Sequence, residues 1–129
     1  HGAPVVPETF DYLFAPEQVI DLLDSQDALA PVTLIGHSHL TISFRVEKDV
    51  VTPIVAPRIV CEPDAKYIIT VGSVGQPRDR DPRACCGVFD TETRTFEYSR
   101  LEYDRWTTRL KILKAGLPTV FGERLLVGM

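Results

Sequence analysis

An α/β chain, with strands through its middle and helices toward its ends, is what the sequence predicts, and three observations predict it. Ile42, Phe44 and Val46 alternate with Ser43, Arg45 and Glu47, the period of a strand with one covered face. Tyr67-Ile68-Ile69-Thr70-Val71 is nearly all apolar, as in a strand buried on both faces. Val19, Ile20, Leu22 and Leu23, and later Trp106, Leu110, Leu113 and Leu117, recur at helical spacing.

In chain order, residues 1–15 hold Pro4 and Pro7 with mixed polarity and read as a loop. Pro16 opens a short amphipathic helix, ended near residue 25 by Asp24, Ser25, Gln26 and Asp27. Val32-Thr33-Leu34-Ile35 is a β-prone run that stops at Gly36, and the alternating strand of residues 42–47 follows. Ile54 to Val60 is β-prone but broken by Pro57, which places it at a sheet edge. After the apolar strand comes a long polar loop, Gly72 to Arg83, with two glycines and two prolines. Residues 85–89 and 94–98 read as a hairpin around Asp90-Thr91-Glu92-Thr93, and the change of apolar phase after Tyr98 suggests a bulge near Ser99 and Arg100. Asp104 is placed to cap a packing helix through Trp106, Leu110, Leu113 and Leu117, which Gly116 and Pro118 stop. Phe121, Leu125 and Leu126 suit a last short helix.

The 129 residues suit one domain, without internal repeat or linker. Acidic and basic side chains, 18 against 14, are well mixed, which argues against a nonspecific nucleic-acid binder. No apolar run is long enough to span a bilayer. Three cysteines, Cys61, Cys85 and Cys86, make a poor disulfide framework and point to free thiols in a reducing cytoplasm. Cys85 and Cys86 are adjacent, so on a strand they face opposite ways. The chain opens His-Gly-Ala-Pro, as a piece of a longer protein or a processed chain would.

Two of the three histidines are separated by a single residue in Gly36-His37-Ser38-His39, and His1 opens the chain. In an extended stretch the two rings would leave on the same side, with Cα atoms roughly 7 Å apart. That arrangement serves one ion or two adjacent ions, and it equally describes two polar histidines without a metal. Three histidines can form a catalytic mononuclear site with an open position. A two-metal centre needs a bridging carboxylate as well, and Asp11, Asp79 and Asp81 lie in no recognisable ligand motif. Arg78, Arg80 and Arg83 can bind phosphate, or can pair with Asp79 and Asp81. Ser73 has no base placed for it locally and is no candidate nucleophile. Phe10, Tyr12 and Phe14 could line a substrate cleft or cover the helix that follows.

Gly36-His37-Ser38-His39 resembles the last metal motif, Gly-His-Thr-His, of the calcineurin-like metallophosphoesterases, with serine for threonine. His1-Gly2 resembles the motif that precedes it. The run Val71-Gly72-Ser73-Val74-Gly75-Gln76-Pro77-Arg78-Asp79, with Asp81-Pro82-Arg83-Ala84 and Val88-Phe89-Asp90, is similar to a loop of the small bacterial and archaeal phosphodiesterase type. Gly116-Leu117-Pro118 and Glu123-Arg124-Leu125-Leu126 resemble that type's C-terminal tail. The family's earlier Asp-x-His, Gly-Asp and Gly-Asn-His motifs do not occur in the sequence.

The resemblance implies an α/β fold, a metallophosphoesterase-like β-sandwich flanked by helices, of which residues 1–129 are the C-terminal half of a single domain. It implies two divalent metal ions (Mn, Fe, Ni or Zn), with His1 and His37 at one and His39 at the other, and Arg78 on the substrate side. The activity implied is hydrolysis of a small phosphodiester, phosphomonoester or nucleotide by a hydroxide bridging the ions. The proton donor to the leaving group would lie in the missing half, so no catalytic residue is assigned in this chain. The partners implied are that N-terminal half and the phosphate ester; oligomeric state stays open. Two further classes stand beside this one: a noncatalytic metal-binding or regulatory fragment that needs the other half, and a small sugar- or nucleotide-binding β module.

Overall fold

The computed structural model describes residues 1–5 and 7–129. Two sheets form the body. The first has the order β1 (Val32–Ile35), β5 (Lys66–Thr70), β2 (Ser43–Glu47), β3 (Val50–Ile54); the second has the order β4 (Arg58–Val60), β7 (Thr95–Leu101), β6 (Ala84–Asp90). β1 and β5 are parallel, with Val32 opposite Tyr67 and Ile35 opposite Thr70. The remaining pairings are antiparallel.

β5 is central, as its apolar run requires, and it builds a core on each face. Ile68 joins Phe44, Val46 and Ile35 beneath Leu13, Val19 and Leu29 of the N-terminal segment. Tyr67 and Ile69 point the other way and meet Ile59 and Phe96 of the second sheet, with Cys61 and Ala65 of the segment between β4 and β5. The alternation in β2 marks two covered faces, since Ser43 is as fully buried as Phe44 and Arg45 is half-buried. Ser43 tolerates this because its hydroxyl lies 2.9 Å from that of Tyr98, which donates to the Thr70 carbonyl.

Several sequence expectations are corrected. The first helix, α1, is α-helical only over Pro16–Ile20, and Leu23–Ala28 follow as 3-10 turns in a run of Asp, Ser and Asp. The β-prone stretch around Pro57 belongs to two strands: β3, which carries Pro53, and β4. Both sit at sheet edges, where proline is tolerated. No bulge occurs near Ser99, because β6 and β7 keep one register from Ala84–Leu101 to Asp90–Thr95. The apolar phase changes because Arg100 shares a face with Phe96 and Tyr98 to reach Asp79, which leaves Leu101 outward.

Helices α2 (Arg105–Lys114) and α3 (Thr119–Val127) form a hairpin tied by the Arg109–Glu123 ion pair at 2.6 Å. Asp104 caps α2 as expected, accepting from the Thr107 N–H at 2.9 Å. The expected packing face of α2 is not buried. Trp106 is 64% exposed and Leu110 59% exposed. All three cysteines are free thiols, Cys85 buried and Cys86 half-buried, on opposite faces of β6. Among the described residues no helix is long and apolar enough to cross a membrane.

Candidate metal centre

Parallel strands send their following loops to the same sheet edge, and β1 and β5 do this here. The loop after β1 carries Gly36 to His39, and the loop after β5 carries Val71 to Arg83. Between them lies a cavity of about 430 Å³ lined by His1, His37, His39, Ile35, Ser73 and Val74, among others. The three histidines singled out from sequence therefore line one cavity, although His1 and His37 are far apart in the chain. Gly36 makes this possible. Its N–H donates to the His1 carbonyl at 3.0 Å, and a Cβ on Gly36 would stand 3.1 Å from the His1 ring.

The segment holding His37 and His39 is not extended. Both residues take left-handed backbone, φ 64° and 60°, so the ring arrangement expected of a straight strand does not apply. Buried Ser38 lies between them, its N–H donating to the Gly36 carbonyl at 2.8 Å.

The loop after β5 fixes His39. The ring Nδ1 lies 2.7 Å from the Gln76 carbonyl, and since a carbonyl only accepts, Nδ1 carries a proton and Nε2 is the nitrogen left to hold a metal in the neutral ring. The Arg78 N–H returns to the His39 carbonyl at 3.1 Å. Ser73 anchors the loop, its Oγ accepting from the Gln76 N–H at 2.9 Å and its carbonyl from the Cys85 N–H at 2.8 Å.

The three arginines separate by their partners. Arg83 forks onto Asp81, with Nε 2.9 Å from Oδ1 and Nη2 2.6 Å from Oδ2. Among the described residues the Arg78 guanidinium hydrogen-bonds the neutral Gln76 Oε1, at 3.0 and 3.3 Å, and no carboxylate; it does not line the cavity. Arg80 is exposed, and its backbone N–H donates to the Gly128 carbonyl at 2.8 Å.

The candidate carboxylates are engaged elsewhere. Burial alone would raise the pKa of Asp79, but Arg100 and Thr41 hydrogen-bond its carboxylate and hold it below the usual range. Asp81 is held down to about 2, chiefly by the Arg83 hydrogen bonds. Asp11 accepts from the Thr9 hydroxyl at 2.6 Å and lines a different cavity. Among the described residues, no three His, Cys, Asp or Glu side chains are grouped closely enough to hold an ion.

Sequence reasoning found the histidines but missed the Gln76 carbonyl, since a backbone acceptor leaves no side-chain signature. It also left Phe10 and Tyr12 undecided. Their rings pack on His37, at centroid distances of 5.9 and 4.1 Å.

No family model matches the chain. An uncharacterized protein of Methanocaldococcus jannaschii is 37% identical over 128 residues, 99% of this chain and 50% of that protein. The crystal structure of a metallophosphoesterase from Sphaerobacter thermophilus superposes with a TM-score of 0.76 at 28% identity, over 92% of this chain and 50% of the other. That of a hypothetical protein from Pyrococcus horikoshii gives 0.67 at 19% identity, over 100% of this chain and 45% of the other. The chain spans about half the length of the relatives it matches. Its fold, mixed sheets flanked by helices, is metallophosphoesterase-like.

Proposed function

We propose, with that metallophosphoesterase-like fold as premise, that residues 1–129 are the C-terminal half of one metallophosphoesterase domain. The whole domain hydrolyses phosphate esters, with a small phosphodiester, phosphomonoester or nucleotide as substrate. One observation carries the reading: His1, His37 and His39 line a single cavity at the ends of the parallel strands, in a fold that superposes on a metallophosphoesterase.

The donor set suits the metals proposed, since imidazole binds Mn, Fe, Ni and Zn. Bound ions would supply positive charge for the phosphoryl oxygens and a water of lowered pKa. In this chain His39 offers Nε2, because its Nδ1–H is held by Gln76, while His1 and His37 offer imidazoles whose ring centroids are 5.3 Å apart. Arg78 is the substrate-side cation, held by an amide oxygen that leaves its full charge for a phosphate oxygen. The remaining ligands, a bridging carboxylate among them, come from the N-terminal half, as does the proton donor to the leaving group.

A second reading, a noncatalytic metal-binding or regulatory fragment, is favoured by the absence of a grouped three-donor cluster among the described residues. Hydrolysis of bis-p-nitrophenyl phosphate with Mn²⁺ separates the two. The enzyme reading expects metal-dependent turnover by the longer protein containing this chain, and loss of that turnover in His39→Ala. A longer protein that binds Mn²⁺ through His39 without hydrolysing phosphate mono- or diesters contradicts it.

A further inference from the structure

We propose that Tyr12 is a positioning residue for His37, holding the plane in which that imidazole meets the cavity. The inference rests on the metal-binding reading of His37. Histidines that hold a metal are normally oriented through an outer partner, as the Gln76 carbonyl orients His39. His37 has no hydrogen bond to its ring among the described residues. Rings surround it instead. Tyr12 lies nearly parallel, with centroids 4.1 Å apart and planes 24° apart. His1 meets it edge-on at 5.3 Å, and Phe10 is tilted against it at 5.9 Å. Stacking constrains a ring's plane as a hydrogen bond constrains one of its nitrogens.

The Tyr12 ring is itself backed. Phe14 stacks on it at 4.9 Å and 15°. Leu13, between them in sequence, is buried in the core, so the chain is pinned one way while its two neighbours face the other. The Ala3 N–H donates to the Asp11 carbonyl at 3.0 Å, and Gln18 Oε1 accepts from the Phe14 and Ala15 N–H groups at 2.7 and 3.1 Å. Gly2 admits the close approach, for a Cβ there would stand 2.8 Å from the Phe10 Cα. A fixed backbone thus carries a stack that ends on a candidate ligand.

The test uses Tyr12→Phe and Tyr12→Leu in the longer protein containing this chain, with Tyr12→Met as a second unstacked variant should leucine fail to fold. His37 ring protons, assigned through His37→Gln, report the stack by their upfield ring-current shift, and Co²⁺ titration reports the site. Tyr12→Phe is expected to keep the shift and bind Co²⁺ within about twofold of the parent. Tyr12→Leu is expected to lose the shift and weaken Co²⁺ about tenfold, as outer-partner changes do. Parent-like Co²⁺ affinity in Tyr12→Leu or Tyr12→Met, with the shift lost, overturns the inference. A parent protein that binds no Co²⁺ overturns the metal reading and the inference with it. The two failures are distinct, since one shows in the parent and the other only in the variants.

Discussion

His37 and His39 stand two residues apart in the same left-handed backbone, yet different forces hold them. His39 is held by directional polar contacts from the loop after β5: the Gln76 carbonyl on its ring and the Arg78 N–H on its own carbonyl. His37 is held by the rings of His1, Phe10 and Tyr12. The polar arm is backed by ion pairs of Asp79 and Asp81 with Arg100 and Arg83, and the aromatic arm by buried Leu13. Neighbouring side chains of one type can therefore answer to different perturbations: charge for one, ring shape and packing for the other.

The largest effect falls on both arms alike. Phe44 is fully buried under the sheet that carries them, so Phe44→Ala should cost about 3–5 kcal/mol in urea unfolding. A cost near zero would mean that the sheet is not their common support. His37→Ala and His39→Ala should each weaken Co²⁺ binding by roughly 100-fold or more, since outer-partner changes alone cost about 10–100-fold. If only one does so, the two residues do not share a site.

Gly2→Ala sharpens the contrast, because the new methyl meets the Phe10 backbone rather than a movable side chain. Urea unfolding should show a loss of about 1–3 kcal/mol. The His37 ring resonances should move, while the Nδ1 proton of His39 stays hydrogen-bonded. Acid should act the other way. Asp79 and Asp81 have folded pKa values below their unfolded ones, near 3.9, so their stabilisation is complete above that value and is lost as pH falls below it, for Asp81 toward about 2. Between about pH 4.5 and 2.5, amide exchange should accelerate over residues 78–83 before residues 10–14. Simultaneous acceleration would dissolve the distinction.

Much of the frame was legible in the sequence, for a reason the structure makes plain. β1, β2, β5 and the β6–β7 hairpin bury side chains in patterns that local periodicity records. β3 was harder to read because Pro53 lies inside it, and only its edge position reconciles the two. Arg100 imitated a bulge because an inward arginine interrupts an apolar face without changing the register. The spacing of Trp106 and Leu110 is that of a packing face, yet both are exposed on α2. At the candidate centre the histidines were legible as residues, but their supports were not. Gln76 acts through its backbone, and Tyr12 meets His37 across 25 positions of chain, so neither leaves a local pattern.

The measurement that tests the central claim most directly is the metal content of the longer protein containing this chain, by elemental analysis, beside its His1→Ala, His37→Ala and His39→Ala variants. The account predicts about two divalent ions per chain, with loss of bound metal in each variant. No bound metal, or metal content unchanged by all three substitutions, would contradict it.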